Sequence, residues 1–141
     1  MVTIALISCA SKKRPSRSKA KELYISPLFR YALRYAASLH PNKTFILSAK
    51  YGLLDLERVV EPYNLTLNSM QPAQNKEWAL RVLHQLETEA HVDIHKDTFI
   101  FLAGERYRKY LIPELTHYDI PLKGLGIGKQ LQFLKQRTHN E

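Results

Sequence analysis

Hydrophobic positions fall along this chain in two rhythms that alternate from one end to the other. Val2-Thr3-Ile4-Ala5-Leu6-Ile7 is an almost unbroken apolar run, the pattern of a strand buried on both faces of a sheet. Ser26-Pro27 then supplies a hydroxyl N-cap and a proline at the first helical position. Behind them Leu28, Ala32, Tyr35, Ala36 and Leu39 recur at the spacing of one helix face. Pro41-Asn42 stops that helix, and residues 44–47 form a second strand. Pro72 opens a long helix carrying Ala79, Val82, Leu83, Leu86 and Ala90. Residues 98–103 make a third buried strand. Tyr107, Tyr110, Leu111 and Leu115 mark another helix, residues 118–120 a short fourth strand, and Ile127, Leu131 and Leu134 the last helix.

Strands alternating with helices predict one α/β domain over residues 1–141: an open, mostly parallel sheet of three to four strands with helices on both faces. Residues 55–71, with Pro62 and Asn64, read as an irregular excursion, and loops of that length are commonly functional. In open parallel sheets, ligands sit outside the carboxyl ends of the strands. Those ends are Ser8-Cys9, Ser48-Ala49-Lys50 and Gly104-Glu105. The middle one is the most pointed, because Leu47-Ser48-Ala49-Lys50-Tyr51-Gly52 ends a strand in a hydroxyl, an amine, a phenol and a glycine. Gly124-Leu125-Gly126-Ile127-Gly128 precedes the last helix, where glycines allow close backbone approach and free N–H groups attract an anion. Its spacing is not a dinucleotide fingerprint.

Charge changes the picture more than composition does. Residues 1–54 hold ten Lys/Arg and one acid, whereas residues 55–141 hold eleven and twelve, so the net +8 comes from the first part. The excess is densest over residues 12–21, with Lys12, Lys13, Arg14, Arg17, Lys19 and Lys21. Such a segment draws phosphates, in nucleic acid or in a nucleotide, although a solvated loop has the same composition. With 45% hydrophobic and 24% charged residues the chain is of the folded globular class. No apolar run is long enough to span a bilayer. Met1 leads directly into the first strand without a basic n-region, so no signal peptide is predicted. The single cysteine, Cys9, has no internal disulfide partner and fits a reducing, cytoplasmic setting.

Several side chains carry candidate chemistry, each beside a blander role. Cys9 lies near Lys12 and Lys13, and cations favour a thiolate, but most lone cysteines are small buried hydrophobes. Lys50 suits a phosphate clamp, or a nucleophile if desolvated, against a surface lysine pairing with Asp55 or Glu57. Tyr24, Tyr51, Tyr63 and Tyr107 offer rings for stacking on bases, against ordinary interfacial packing; Tyr51 and Tyr63, flanking the long loop, are the first choices. Glu105 is a general acid or base, or a partner of a helix N-terminus. The six histidines, among them His91 and His95 at i, i+4, complete no zinc pattern, so neither a metal nor a cofactor is predicted.

Several blocks also carry a family resemblance. They are Ile7-Ser8-Cys9 with Lys12, Glu22-Leu23-Tyr24-Ile25-Ser26-Pro27-Leu28-Phe29, Leu47-Ser48-Ala49-Lys50-Tyr51-Gly52-Leu53, Glu61-Pro62-Tyr63-Asn64-Leu65-Thr66-Leu67, Ala103-Gly104 with Tyr107, and Pro121-Leu122 with Gly124, Ile127-Gly128 and Gln130. Together they resemble a small bacterial and phage family of unknown function, distantly similar to the YaaA peroxide-stress proteins. The resemblance implies a Rossmann-like fold of the uracil-DNA-glycosylase kind, and an association with DNA binding and protection against oxidative damage.

The leading expectation is therefore a protein that binds a nucleotide or nucleic-acid phosphate at the carboxyl edge of its sheet, with action on a nucleobase or its glycosidic bond left open. Lys12 and Lys50 would hold phosphate, Ser8 and Ser48 hydrogen-bond the ligand, and Tyr51 or Tyr63 stack on a base. Cys9, Gly52, Gly104, Gly124 and Gly128 complete the predicted ligand-binding set. No reaction is assigned, and Cys9, Lys50 and Glu105 are the catalytic candidates, with Asp55 beside Glu105 as a possible water activator. One alternative is a non-catalytic DNA-binding protein of stress or phage defence, using Lys12, Lys13, Arg14, Arg17, Lys19 and Lys21. Another is a thiol redox protein using Cys9. The oligomeric state is left open.

Overall fold

Apolar side chains on both faces of a parallel sheet demand cover on both sides, and the chain supplies it in turn. The computed structural model describes residues 2–138, so His139 lies outside the described residues. Its main sheet is built on a central strand, β1 (Thr3–Ser8). The other named strands are β2 (Ser18–Lys19), β3 (Lys43–Ser48), β4 (Gly52–Asp55), β5 (Val59–Val60), β6 (Thr98–Leu102) and β7 (His117–Asp119). The sheet order is β4-β3-β1-β6-β7. β3 and β6 flank β1 in parallel, β7 is parallel to β6, and β4 turns back antiparallel to β3. β2 and β5 form a separate two-stranded ribbon.

The period of two divides the core. Ile4, Leu6, Leu47, Phe99 and Phe101 point to one face, where α3 (Pro72–Thr88) lays Trp78, Ala79, Val82, Leu83 and Leu86 against them. Ala5, Ile7, Ile46, Leu54 and Leu102 point to the other, beneath α2 (Pro27–Ser38) and α5 (Ile127–Arg137). Those two helices meet edge-to-face through Tyr35 and Phe133, with ring centroids 5.7 Å apart. The short helix α1 (Ala20–Leu23) also buries Ala20 and Leu23 on this side.

Three differences from the sequence expectations stand out. The sheet has five strands, because residues 52–55, just before the long excursion, form an edge strand. Ser48 pairs with Gly52, so the pointed exit of β3 is a tight hairpin through Ala49, Lys50 and Tyr51. Gly52 has φ of 72°, so the backbone requires glycine, and a Cβ there would push aside the Gln85 amide. The helix expected over Tyr107 to Leu115 is only α4 (Glu105–Arg108) followed by a 3-10 turn (Ile112–Glu114). Pro113 lacks the N–H that a continuing helix needs. Finally, the basic segment is not a free loop: Lys13 bridges to Tyr24, and Ser18–Lys19 pairs with Val59–Val60.

Candidate functional site

Numbering only the parallel strands, the order is second, first, third, fourth, so the chain reverses direction across the sheet between β1 and β6. That switch point is where an open α/β sheet leaves a crevice, because the connections from neighbouring strands run to opposite faces. A cleft of about 690 Å³ lies there. Its strand-end wall is Ser8, Cys9, Ala10 and Ser11 after β1, and Ala103, Gly104, Glu105 and Arg106 after β6. The N-termini of α2 (Ser26, Pro27) and α5 (Ile127, Gln130) border it, and Phe29, Ala32, Leu102, Leu122 and Leu131 give an apolar side. The volume is that of an ordinary small-molecule site.

The two helix starts differ. Ser26 Oγ accepts from Phe29 N at 3.3 Å, which caps α2 in the manner its sequence predicts. α5 has Gly126 at its N-cap and so no side-chain cap, leaving its first N–H groups to solvent or a ligand. Beside the strand ends, Glu105 and Arg106 are exposed at the cleft wall. Arg108 is engaged elsewhere, donating to the Ala103 carbonyl at 2.7 Å.

Tyr107 also lines the cleft, and three phenols are engaged around it and the end of β3. The Cys9 thiol donates to the Tyr107 hydroxyl at 3.4 Å, and that hydroxyl also accepts from Leu67 N at 3.4 Å. Ser48 Oγ, the Tyr63 hydroxyl and the Tyr24 hydroxyl form a chain with links of 2.8 and 2.6 Å. Ser48 Oγ also accepts from Tyr51 N, and the Ser48 carbonyl accepts from Trp78 Nε1 at 2.9 Å. Burial pushes the Tyr24, Tyr63 and Tyr107 phenols well above the usual tyrosine range, since a phenolate there would be poorly solvated. Lys13 lies 4.5 Å from the Tyr63 ring centroid, and partial burial lowers its ammonium pKa.

The predicted residues thus divide. Ser8, Cys9, Gly104 and Glu105 line one cleft. Ser48 is fully buried and its hydroxyl is engaged by Tyr51 and Tyr63. Because β3 ends at Ser48, Lys50 does not share its strand face; it sits exposed in the hairpin, 5.4 Å from the Tyr51 ring centroid. Tyr51 and Tyr63 pack edge-to-face on each other at 5.6 Å, outside the cleft lining. Gly52 lies beneath Gln85, whose amide accepts from Leu53 N and donates to the Tyr51 carbonyl. Gly124 takes φ of 80° in the turn before α5, and Gly128 lies in the first turn of that helix with open space around it.

Of the basic residues, Lys19 and Lys21 both pair with Glu57, at 3.3 and 2.6 Å. That pairing raises the Lys21 pKa and lowers that of Glu57. Lys12, Arg14 and Arg17 are exposed and form no ion pair among the described residues. Sequence reasoning missed Ser11, Ser26, Asn68, Arg106 and Gln130 as cleft residues. Arg106 was within reach, being the next residue along the β6 exit.

The model of one family matches residues 4–136, nearly the whole chain. The chain belongs to DUF6884, a family of unknown function. Neither the curated proteins nor the solved structures contain a match to this DUF6884 chain. Among the described residues no three of His, Cys, Asp and Glu gather as a metal site, and no helix is long and apolar enough to cross a membrane.

Proposed function

We propose that this DUF6884 protein binds a nucleotide in the cleft between the carboxyl ends of β1 and β6. The observation that carries the reading is the position of a cleft of about 690 Å³ at the chain reversal, with one polar wall and one apolar side. In this reading Arg106 and the hydroxyls of Ser8 and Ser11 meet the phosphate, and the uncapped start of α5 adds backbone N–H groups. The apolar side around Phe29 and Leu122 takes the base. Cys9 and Glu105 border the same space, so chemistry on the base or its glycosidic bond would fall to them and not to Lys50.

Thermal-shift and calorimetric titration with nucleoside 5′-monophosphates tests this. Binding at saturating ligand raises the unfolding midpoint by several degrees, and Arg106→Ala weakens it. If no nucleotide moves the midpoint or releases heat, the reading falls.

A second reading, DNA binding, draws support from the exposed Lys12, Arg14 and Arg17, which follow cleft residue Ser11, and from the resemblance to YaaA proteins. With Lys19 and Lys21 engaged by Glu57, and Lys13 half-buried over the Tyr63 ring, three of the six cations remain for phosphate contacts, and the salt slope of DNA affinity is correspondingly shallow, about −3. A slope unchanged by Lys12→Ala would remove this reading. The thiol reading rests on Cys9 beside the Tyr107 hydroxyl, and it requires that Cys9→Ser abolish function.

A further inference from the structure

The face of α5 that carries Leu134 contains one residue that breaks its apolar stripe. Ile127, Gln130, Leu131 and Leu134 follow at i, i+3, i+4 and i+7, so they share a face that runs from exposed Ile127 to buried Leu134. Leu134 is fully buried in the core, while Gln130 is half-buried and lines the cleft together with Ile127 and Leu131. An amide at a stripe position costs free energy unless its polar atoms are used, and such breaks in pattern concentrate at functional positions.

The amide is held in one orientation. Gln130 Nε2 donates to the Leu125 carbonyl at 2.8 Å. Turned over, the amide would set Oε1 against a carbonyl oxygen, two acceptors face to face, so the orientation is decided by the backbone before α5. An acceptor, Oε1, and the second Nε2 hydrogen are left side by side. Neither has a protein partner among the described residues.

The same cleft carries apolar lining residues, Phe29, Ala32, Leu102, Leu122 and Leu131. An apolar enclosure with one oriented donor–acceptor pair suits a planar heterocycle. Its faces need apolar cover, and its edge needs a donor and an acceptor in return. An alkyl chain would leave the amide unpaired, and the polar strand-end residues are left for a sugar and phosphate.

We infer that Gln130 is the residue that reads the ligand's base: Oε1 accepts from a ring or exocyclic N–H, and Nε2 donates to the neighbouring oxygen or ring nitrogen. This rests on the nucleotide reading of the same cleft. It places specificity on α5 and phosphate recognition at the strand ends, so the two are separable.

The test is calorimetry on the full chain with the nucleoside 5′-monophosphates and, as a probe lacking a base, ribose 5-phosphate. Gln130→Leu weakens the preferred nucleotide about 10- to 100-fold and leaves ribose 5-phosphate unchanged. Gln130→Glu keeps the size, replaces the donor, and changes the ranking of the bases. A third measurement needs no variant: methylating the donor nitrogen of the preferred base weakens binding to the wild-type protein by a similar factor. Equal losses for nucleotide and ribose 5-phosphate in Gln130→Leu mean that the residue only supports Leu125, and the inference fails. It also fails if wild-type protein binds ribose 5-phosphate as tightly as any nucleotide, although the phosphate reading then survives. If neither ligand class binds, both readings fall together.

Discussion

The end of β3 and the ends of β1 and β6 look alike in sequence and are opposite in structure. Each closes an apolar strand with hydroxyls, glycine and charge. At β3 the polar groups are consumed internally: Ser48 is fully buried, its hydroxyl engages Tyr51 and Tyr63, its carbonyl takes the Trp78 N–H, and Gln85 closes over Gly52. At β1 and β6 the side chains of Ser8, Glu105 and Arg106 face a cleft instead. A polar strand end is a candidate site when its hydrogen-bonding capacity is left open, not merely when it is polar. The difference traces to topology. β3 is followed by an antiparallel edge strand that folds back over its end, whereas β1 and β6 send their connections to opposite sides.

Perturbing the closed end should therefore change stability, and perturbing the open end should change binding. The largest effect is expected at Gly52. Gly52→Ala forces a left-handed backbone on a residue with a Cβ, costing about 1–2 kcal/mol. It also displaces Gln85 from Leu53 N and the Tyr51 carbonyl, each bond contributing about 1 kcal/mol. Urea unfolding should show a loss of about 2–4 kcal/mol, with nucleotide affinity per folded molecule unchanged. Tyr63→Phe removes the middle hydroxyl of the Ser48–Tyr63–Tyr24 chain and leaves two buried hydroxyls short of a partner. A loss of about 1–3 kcal/mol follows.

The same phenols set a pH signature. In the unfolded chain a tyrosine ionises near pH 10, whereas in the folded protein Tyr24, Tyr63 and Tyr107 hold their protons to higher pH. Above about pH 10 the unfolded state thus binds fewer protons than the native state, and stability falls as pH rises. Each such phenol contributes a slope of about 1.4 kcal/mol per pH unit there, and none at neutral pH. Unfolding free energies measured from pH 8 to 11 should be flat first and then steep, and Tyr63→Phe should remove about one proton's worth of the slope. A slope unchanged in that variant would place the Tyr63 phenol in water.

At the open end the expected effects are smaller and fall on binding. Arg106→Ala removes a guanidinium from the cleft wall and should weaken nucleotide binding about tenfold, through loss of a charge-assisted contact. The unfolding midpoint without ligand should stay within about a degree, since Arg106 is exposed and forms no ion pair among the described residues. A drop in stability with no change in affinity would reverse the comparison between the two ends.

How far the sequence discloses this depends on the kind of signal. β1, β3, β6, α2, α3 and α5 were legible because each buries a face, and a buried face is periodic. β4 was not, since Leu53-Leu54 is too short an apolar pair to show a strand's period; the clue is Gly52, a residue able to turn a hairpin. Among the cleft residues, Ser8, Cys9, Gly104 and Glu105 are legible from one rule about strand ends. Ser11, Ser26 and Asn68 were not, because only the tertiary fold brings three loops to one cleft. Gln130 had a local signal, an amide in a leucine stripe, that carries weight only once the helix face is known. Lys50 and Ser48 lie outside the cleft, and nothing local shows that Trp78, Tyr63 and Gln85 will close over the strand that precedes them.

Lys50 gives the smallest expected effect and the cleanest boundary on the site. Its ammonium lies 5.4 Å from the Tyr51 ring centroid on an exposed turn, where a cation–π contact contributes about 0.5–1 kcal/mol. Lys50→Ala should therefore destabilise by no more than that in urea unfolding. Because the side chain lines no part of the cleft, nucleotide affinity should be unchanged at any salt concentration. A tenfold weakening in Lys50→Ala would mean that the β3 end shares the ligand after all, by a rearrangement that opens the hairpin toward the β1 loop. The Ser48–Tyr63 hydrogen bond would then be a latch, and Tyr63→Phe, which removes it, would tighten binding while it lowered stability. Measuring both variants against one ligand separates a closed structural end from a closed functional one.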